Sequence, residues 1–258
     1  MNRTEETLES KLFKLQTILD EGQRIVFFGG AGVSTESGIP DFRSEDGLYR
    51  QKYKYAPETI LSHSFFLQKT ADFYEFYRDK MIVTGVEPNV THHFLSALEE
   101  SGKLAGIITQ NIDGLHQVAG NTKVTELHGS IHRNYCMHCH KFHPLASVIT
   151  SEPVPHCDCG GIIKPDVVLY EEPLKDSDVD QALRLISQAD VLIVGGTSLS
   201  VYPAASFIRY FRGNYLVLIN KTPTPYDENA DLLIQAGLGE VFSKLNINKT
   251  GASHSAAF

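Results

Sequence analysis

Residues Gly29 to Tyr49 read GGAGVSTESGIPDFRSEDGLY and directly follow a short apolar run, Ile25 to Phe28. A glycine turn at the end of a strand is a place where a dinucleotide phosphate can sit. Gly30 and Gly32 carry no side chain, so the backbone can approach a pyrophosphate and the N–H groups of the following turn can point at it. The continuation is not that of a dehydrogenase. A hydride-transferring Rossmann protein runs from its glycine turn through a helix to a second strand ending in Asp or Glu about 20 residues on. Here Gly38, Pro40, Gly47 and Pro57 interrupt any helix, and the chain leaves the strand into a long polar loop that carries Asp41 and Arg43. An ordered loop of that length is usually a functional one.

Around this stretch, short β-branched runs alternate with helical patterns. Leu8, Leu12, Leu15 and Leu19 recur at spacings of four, three and four, with Thr4 as the expected cap, Glu5 and Glu6 in the first turn and Gly22 past the end. Further strands are expected at Gly106 to Thr109, Val124 to Leu127, Val191 to Val194, Tyr215 to Ile219 and Leu232 to Ile234, with helices at Thr91 to Glu100, Asp178 to Gln188 and Ala204 to Phe211. The alternation predicts an α/β fold, a Rossmann-like parallel sheet with helices on both faces, whose ligands bind beyond the carboxyl ends of the strands. Two segments break the pattern: Ser44 to Asn89, polar-aromatic and helical in character, and Ile131 to Lys164, which holds the cysteines. Residues 1–43, 90–130 and 165–258 are therefore expected to form one discontinuous domain. A helical insertion, 44–89, and a metal module, 131–164, would form a smaller one. The small, polar tail from Asn248 to Phe258 is expected to fray.

Composition narrows the function. With 258 residues and 42% hydrophobic content the chain can build a real core. No apolar run approaches the roughly 18 to 20 residues of a membrane span, and MNRTEETLES lacks the apolar centre of a signal peptide, so a cytoplasmic, membrane-free protein is expected. A formal charge of -8 without a basic run argues against a nucleic-acid partner. It tolerates lysine-rich protein partners.

All four cysteines, Cys136, Cys139, Cys157 and Cys159, form C-x2-C, a gap of 17, then C-x-C. That spacing suits a tetrahedral thiolate zinc site; paired disulfides and unrelated buried thiols are the alternatives, and a cytosolic setting disfavours the first of these. Four sulfurs leave no position open for water, so the zinc would be structural. His138, His140, His143 and His156 lie close enough in sequence to replace one sulfur. For chemistry, Ser34 and Ser37 lack the strand–nucleophile–helix elbow of a serine hydrolase. The remaining candidates are Asp41, Arg43, Asn111, Asp113, His116 and His128. His128 follows a strand and precedes Gly129, where an imidazole can serve as general base or simply bond backbone groups. His116, inside a helix, reads as packing or surface.

GAGxSxxSGIPDFR, TQNIDGLHxxAG at Thr109 to Gly120, LHG at Leu127 to Gly129, GTSLSVYPAA at Gly196 to Ala205 and INK at Ile219 to Lys221 together resemble the sirtuin family in order and spacing. The second cysteine pair is C-x-C where much of that family has C-x2-C. The resemblance implies an NAD-dependent protein-lysine deacetylase, with NAD as co-substrate and acetylated lysine side chains of proteins as substrate. By that resemblance Ala31, Thr35, Phe42 and Arg43 line the cofactor loop; Gln110, Asn111, Ile112 and Asp113 form the nicotinamide–ribose pocket. His128 is the base, Thr197 and Ser198 meet the phosphates or distal ribose, and Asn220 meets the adenosine ribose, with a further contact near Gly239. The acyl oxygen would capture the ribose carbon as nicotinamide leaves, His128 would take a ribose hydroxyl proton, and the products would be free lysine, nicotinamide and O-acyl-ADP-ribose. Val168, within Val167 to Tyr170, and Val201, within Ser198 to Tyr202, match segments that add the substrate peptide as a strand. Tyr170-Glu171-Glu172 stands where the family commonly has Phe-Gly-Glu, placing an extra carboxylate near the peptide. An ADP-ribosyltransferase and a broader deacylase, desuccinylation included, are the alternatives within the family. Family members that remove succinyl groups carry Tyr-x-x-Arg on a helix. Here Tyr74 is followed by Tyr77, and Arg78 comes one residue late, a turn of roughly 100 degrees that predicts preference for neutral acyl groups.

Overall fold

The computed structural model describes residues 6–41 and 54–247. Six strands form one parallel sheet: β1 (Ile25–Gly29), β2 (Leu104–Thr109), β3 (Val124–Glu126), β7 (Val191–Gly195), β8 (Tyr215–Ile219) and β9 (Leu232–Ile234), in the order β3-β2-β1-β7-β8-β9. All five residues of β1 are buried, because both faces of the sheet are covered. Ile25 and Phe27 join Leu15, Ile18, Leu95 and Phe242 on one face, under α1 (Leu8–Glu21), α5 (Val90–Glu100) and α9 (Leu238–Phe242). Val26 and Phe28 join Ala182, Ile186 and Phe207 on the other, under α8 (Asp176–Gln188) and a 3-10 helix, Ala204–Tyr210. The strand order reverses between β1 and β7, so the crevice favoured for ligands opens at their carboxyl ends, beside Gly29 and Gly195.

A second sheet of order β5-β4-β6 is built from β4 (Gly129–Cys136), β5 (Phe142–Pro144) and β6 (Ile163–Val167), with α7 (Leu145–Ile149) beside it. Four short segments precede it: α2 (Pro57–Ile60), α3 (His63–Gln68), α4 (Thr70–Phe76) and a π turn, Tyr77–Met81. Phe66, Phe73, Tyr74 and Tyr77 from these segments share one core with Ile131, Val148, Ile163 and Leu169. This is the smaller lobe of cysteine module and helical insertion.

Three local readings change. The cap of α1 is Thr7, whose hydroxyl accepts from the Ser10 amide, so the helix starts after Glu6 and the acid in its first turn is Glu9. The cap read at Thr4 and the acid at Glu5, like the fraying read for Asn248 to Phe258, fall outside the described residues. The Ala204 segment coils as a 3-10 helix instead of an α-helix, a tighter winding that sequence periodicity over seven residues does not distinguish. No helix among the described residues is long and apolar enough to cross a membrane.

Candidate active site and metal centre

The turn after β1 winds into two short 3-10 turns, Ala31–Val33 and Thr35–Ser37. Several amides of this segment are bonded within the protein. Gly30 and Gly32 donate to the Gly195 and Gly196 carbonyls at 3.3 and 2.8 Å, and the Val33 and Ser34 amides close the turn itself. The glycines are needed because two turns of the chain press together: a Cβ on Gly30 would lie 2.8 Å from Thr197 Cβ, and one on Gly32 2.8 Å from Gly196 Cα.

Ser34 is at the centre of a hydrogen-bonded set of side chains. Buried to 1% exposure, its hydroxyl donates to Asp113 Oδ2 at 2.7 Å and accepts from Asn111 Nδ2 at 3.0 Å. Asp113 Oδ1 takes the Leu115 amide at 2.9 Å in the first turn of α6 (Leu115–Val118), so both carboxylate oxygens are held. His132 Nε2 bonds the Asp113 carbonyl at 2.9 Å. The sequence offers Ser34 only as a nucleophile and does not point to His132; their links to Asp113 span 79 and 19 positions, and no local pattern encodes them. Gln110 Nε2 donates to Thr197 Oγ1 at 3.1 Å, joining the ends of β2 and β7.

His128 lies just past β3, half-buried, with Nδ1 2.9 Å from the Gln110 carbonyl. A carbonyl only accepts, so Nδ1 carries the hydrogen and Nε2 keeps its lone pair in the neutral ring. Burial holds the imidazole pKa below its usual 6.5, and the Gln110 bond opposes this in part. His116 differs. Only 1% exposed, it packs against Phe27 and His92, neither ring nitrogen has a partner, and burial lowers its pKa to about 3. It is core.

The other expected contacts divide. Ala31 and Thr35 are half-buried in the turn, and Thr35 Oγ1 donates to the Gly32 carbonyl. Ile112 packs toward the small-lobe core and its carbonyl takes the Ile131 amide. Ser198 Oγ pairs with Ser200 Oγ at 2.6 Å. Asn220 Nδ2 is turned onto Thr222, 2.7 Å from its carbonyl. Gly239 gives its amide to Glu36 Oε1 at 3.2 Å. Phe42 and Arg43 lie outside the described residues.

The expected peptide segments flank the crevice. Val168 donates its amide to the His128 carbonyl at 3.0 Å, Tyr170 to the Leu61 carbonyl, and Leu169 to Glu172 Oε2 at 2.9 Å. These three amides are engaged within the chain, so a peptide strand on this side cannot draw on them. Val201, opposite, is half-buried and accepts from the Ala205 amide. The carboxylate of Glu171 caps α3 through Ser64 N and Oγ, at 2.9 and 3.0 Å. Tyr74 donates to the Ile163 carbonyl, while Arg78 Nε reaches the Val148 carbonyl at 2.8 Å and Nη2 reaches those of Ser151 and Pro153.

The four cysteine Sγ atoms lie within 4.8 Å of one another. Cys136–Cys159, Cys139–Cys159 and Cys139–Cys157 are separated by 3.4, 3.4 and 3.7 Å, near the spacing of about 3.8 Å that four Zn–S bonds of about 2.3 Å impose. The amides of Cys139 and His138 donate to Cys136 Sγ, pulling that thiol down to about 6. The set fits one structural zinc ion, and among the described residues no histidine belongs to it.

A family model described as "Sir2 family" matches residues 30–203. The chain is 60% identical to the NAD-dependent protein deacetylase of Clostridium acetobutylicum over 238 residues, 91% of this chain and 97% of that one. It is 54% identical to the protein of the same description in Clostridium perfringens, across 92% and 99%. Among solved structures it is similar to a Sir2 chain complexed with p53 peptide and NAD+, with TM-score 0.80 and 37% identity over 89% and 95% of the two chains. A Sir2 variant complexed with deacetylated p53 peptide and 3'-O-acetyl ADP ribose gives TM-score 0.83 and 37% identity over 90% and 96%.

Proposed function

This chain belongs to the Sir2 family, and on that premise we propose how its own residues carry out NAD-dependent protein deacetylation. The protein is an NAD-dependent protein deacetylase: the acetyl group of acetyl-lysine passes to ADP-ribose, with one water consumed and free lysine, nicotinamide and O-acetyl-ADP-ribose released. Bound NAD supplies a ribose carbon that becomes electrophilic as nicotinamide departs. Asn111 and Asp113, locked to each other through Ser34, orient the leaving carboxamide; a carboxylate held from both oxygens does not relax as the charge changes. His128 Nε2 takes the proton of a ribose hydroxyl. The observation that carries this assignment is the Nδ1 bond to the Gln110 carbonyl, which fixes the tautomer and leaves the Nε2 lone pair to accept a proton. Ala31, Thr35, Phe42, Arg43, Gln110 and Ile112 line the cofactor loop and nicotinamide side, Thr197 and Ser198 the phosphate side, and Asn220 the adenosine ribose. Val168 and Val201 flank the peptide. Cys136, Cys139, Cys157 and Cys159 hold the zinc.

Two units follow from the same reading: 1–43, 90–130 and 165–258 as the NAD-binding domain, and 44–89 with 131–164 as the small one, a division supported by the separate core the small unit encloses. Cytoplasmic residence is supported by four thiols grouped for metal, and the exclusion of nucleic acid by the charge of -8. Preference for acetyl over succinyl is supported by Arg78, whose guanidinium is spent on small-lobe carbonyls and is not offered to a distal carboxylate. The deciding experiment is mass analysis of the products from NAD and an acetylated peptide. O-Acetyl-ADP-ribose is expected; ADP-ribose attached to protein would indicate transferase chemistry instead. A parallel run with the succinyl peptide should be at least tenfold slower in kcat/KM.

A further inference from the structure

Beside the 204–210 helix, on the flank of the large sheet, an open groove of about 550 Å³ is lined by Tyr202, Ile208, Arg209, Phe211, Pro225 and Tyr226. Its volume falls within the roughly 300 to 1,000 Å³ of ligand-binding clefts. The lining combines aromatic and aliphatic walls with one exposed guanidinium. Arg209 stands beside the phenols of Tyr226 and Tyr202, and no carboxylate among the described residues pairs with it. Asp231, which also lines the groove, has one carboxylate oxygen bonded to the Leu216 amide at 2.8 Å. The Tyr226 hydroxyl is buried against the Arg209 guanidinium. Tyr202, 63% exposed, lines the groove and directly follows Val201 of the proposed peptide segment. A 3-10 helix rises about 2 Å per residue, which puts Arg209 about 12 Å from Pro203, the reach of about four residues of extended peptide at about 3.3 Å each.

We propose that Arg209, with Tyr202 and Tyr226, forms a subsite for an acidic side chain lying within about four residues of the acyl-lysine in the protein substrate. An arginine fork matches a carboxylate in a bidentate fashion, the exposed Tyr202 phenol beside it adds a donor, and Tyr226 backs the guanidinium. This inference rests on the reading that Ser198 to Tyr202 flanks the peptide. It also runs against the chain's overall charge: a net charge of -8 disfavours acidic peptides generally, so a gain confined to one flank position isolates the local subsite.

The test uses fluorescein-labelled acetyl-lysine peptides of one length, with Gln at every flank position or a single Glu walked through four positions on each side. Affinity for the full-length protein is read by anisotropy. One Glu position is expected to bind three- to tenfold tighter than the all-Gln peptide. Arg209→Gln should collapse that ratio to one, and Arg209→Glu should invert it, both with an unchanged melting temperature. No favoured Glu position, or a preference that survives Arg209→Gln, would overturn the subsite. Val201→Asp separates the two readings. If it weakens every peptide tenfold or more, the peptide segment stands whatever Arg209 does; if it weakens none, the segment reading fails and the subsite falls with it.

Discussion

The crevice at the ends of β1, β2 and β7 and the cysteine-bearing lobe are held by different physics. Around the crevice the backbone rests on two apolar layers, and the functional groups hang from strand ends in a hydrogen-bonded set, Ser34, Asn111, Asp113 and Gln110. In the small lobe a single core of aromatic residues is closed at its far end by four thiols. Chemistry should therefore be separable from folding in the crevice and inseparable from it in the lobe. The largest effect tests this second half. Cys157→Ala should remove zinc and several kcal/mol of stability together, lowering the melting temperature by roughly 10 °C or more. A zinc-free protein that melts like the parent would break the contrast.

The next effect tests the first half. His128→Ala should reduce kcat/KM on an acetylated peptide by about 100- to 10,000-fold, while the melting temperature and NAD affinity stay near those of the parent. A variant within threefold would remove His128 from its role. The pH profile sharpens it. A base must be neutral to work, and burial holds the His128 pKa below 6.5, so the acidic limb of activity should fall below that value instead of at it.

Much of this was legible beforehand, for identifiable reasons. Strands covered on both faces are continuous apolar runs, so Ile25 to Phe28, Val191 to Val194 and Tyr215 to Ile219 declared themselves along with the parallel sheet they build. The cysteine spacing declared the metal site. Tertiary closure was hidden. That the amides of Gly30 and Gly32 are consumed by the facing turn, that Ser34 joins Asn111 to Asp113, and that Arg78 is captured by carbonyls of residues 148 to 153 all depend on which distant segments meet. His116 reads in the sequence as packing or surface, and it is packing, but a polar residue in a short helix does not say that Phe27 and His92 will enclose it.

That enclosure predicts a smaller, pH-dependent effect outside the crevice. Burial lowers the pKa of His92 to about 4 and of His116 to about 3. Below pH 6.5 the unfolded chain binds protons that the folded chain refuses, so stability present above 6.5 is lost as pH falls through the window down to those values. Each histidine contributes about 1.4 kcal/mol per pH unit there. His116→Leu should reduce the slope of unfolding free energy against pH by about one proton between pH 6.5 and 5, measured by urea titration. An unchanged slope would mean that the folded protein already accommodates the charge.

The smallest effect lies on the seam between the two regions. Glu171 has φ +75°, a left-handed conformation that costs an ordinary side chain about 1 to 2 kcal/mol and glycine almost nothing. Its carboxylate offsets this by capping α3 through the Ser64 amide and hydroxyl. Glu171→Ala keeps the backbone cost and loses both bonds, and should destabilise by about 1 to 2 kcal/mol. Glu171→Gly loses the same bonds but relaxes the backbone, and should recover about 1 kcal/mol of that. The difference between the two variants isolates the conformational part, since neither retains a cap. If the glycine variant is no more stable than the alanine one, the backbone cost at this position is negligible and the carboxylate serves some other purpose. If glycine exceeds the parent in stability, the cap was the weaker partner, and the seam has retained a strained residue for the geometry it gives the segment from Val168 to Glu172.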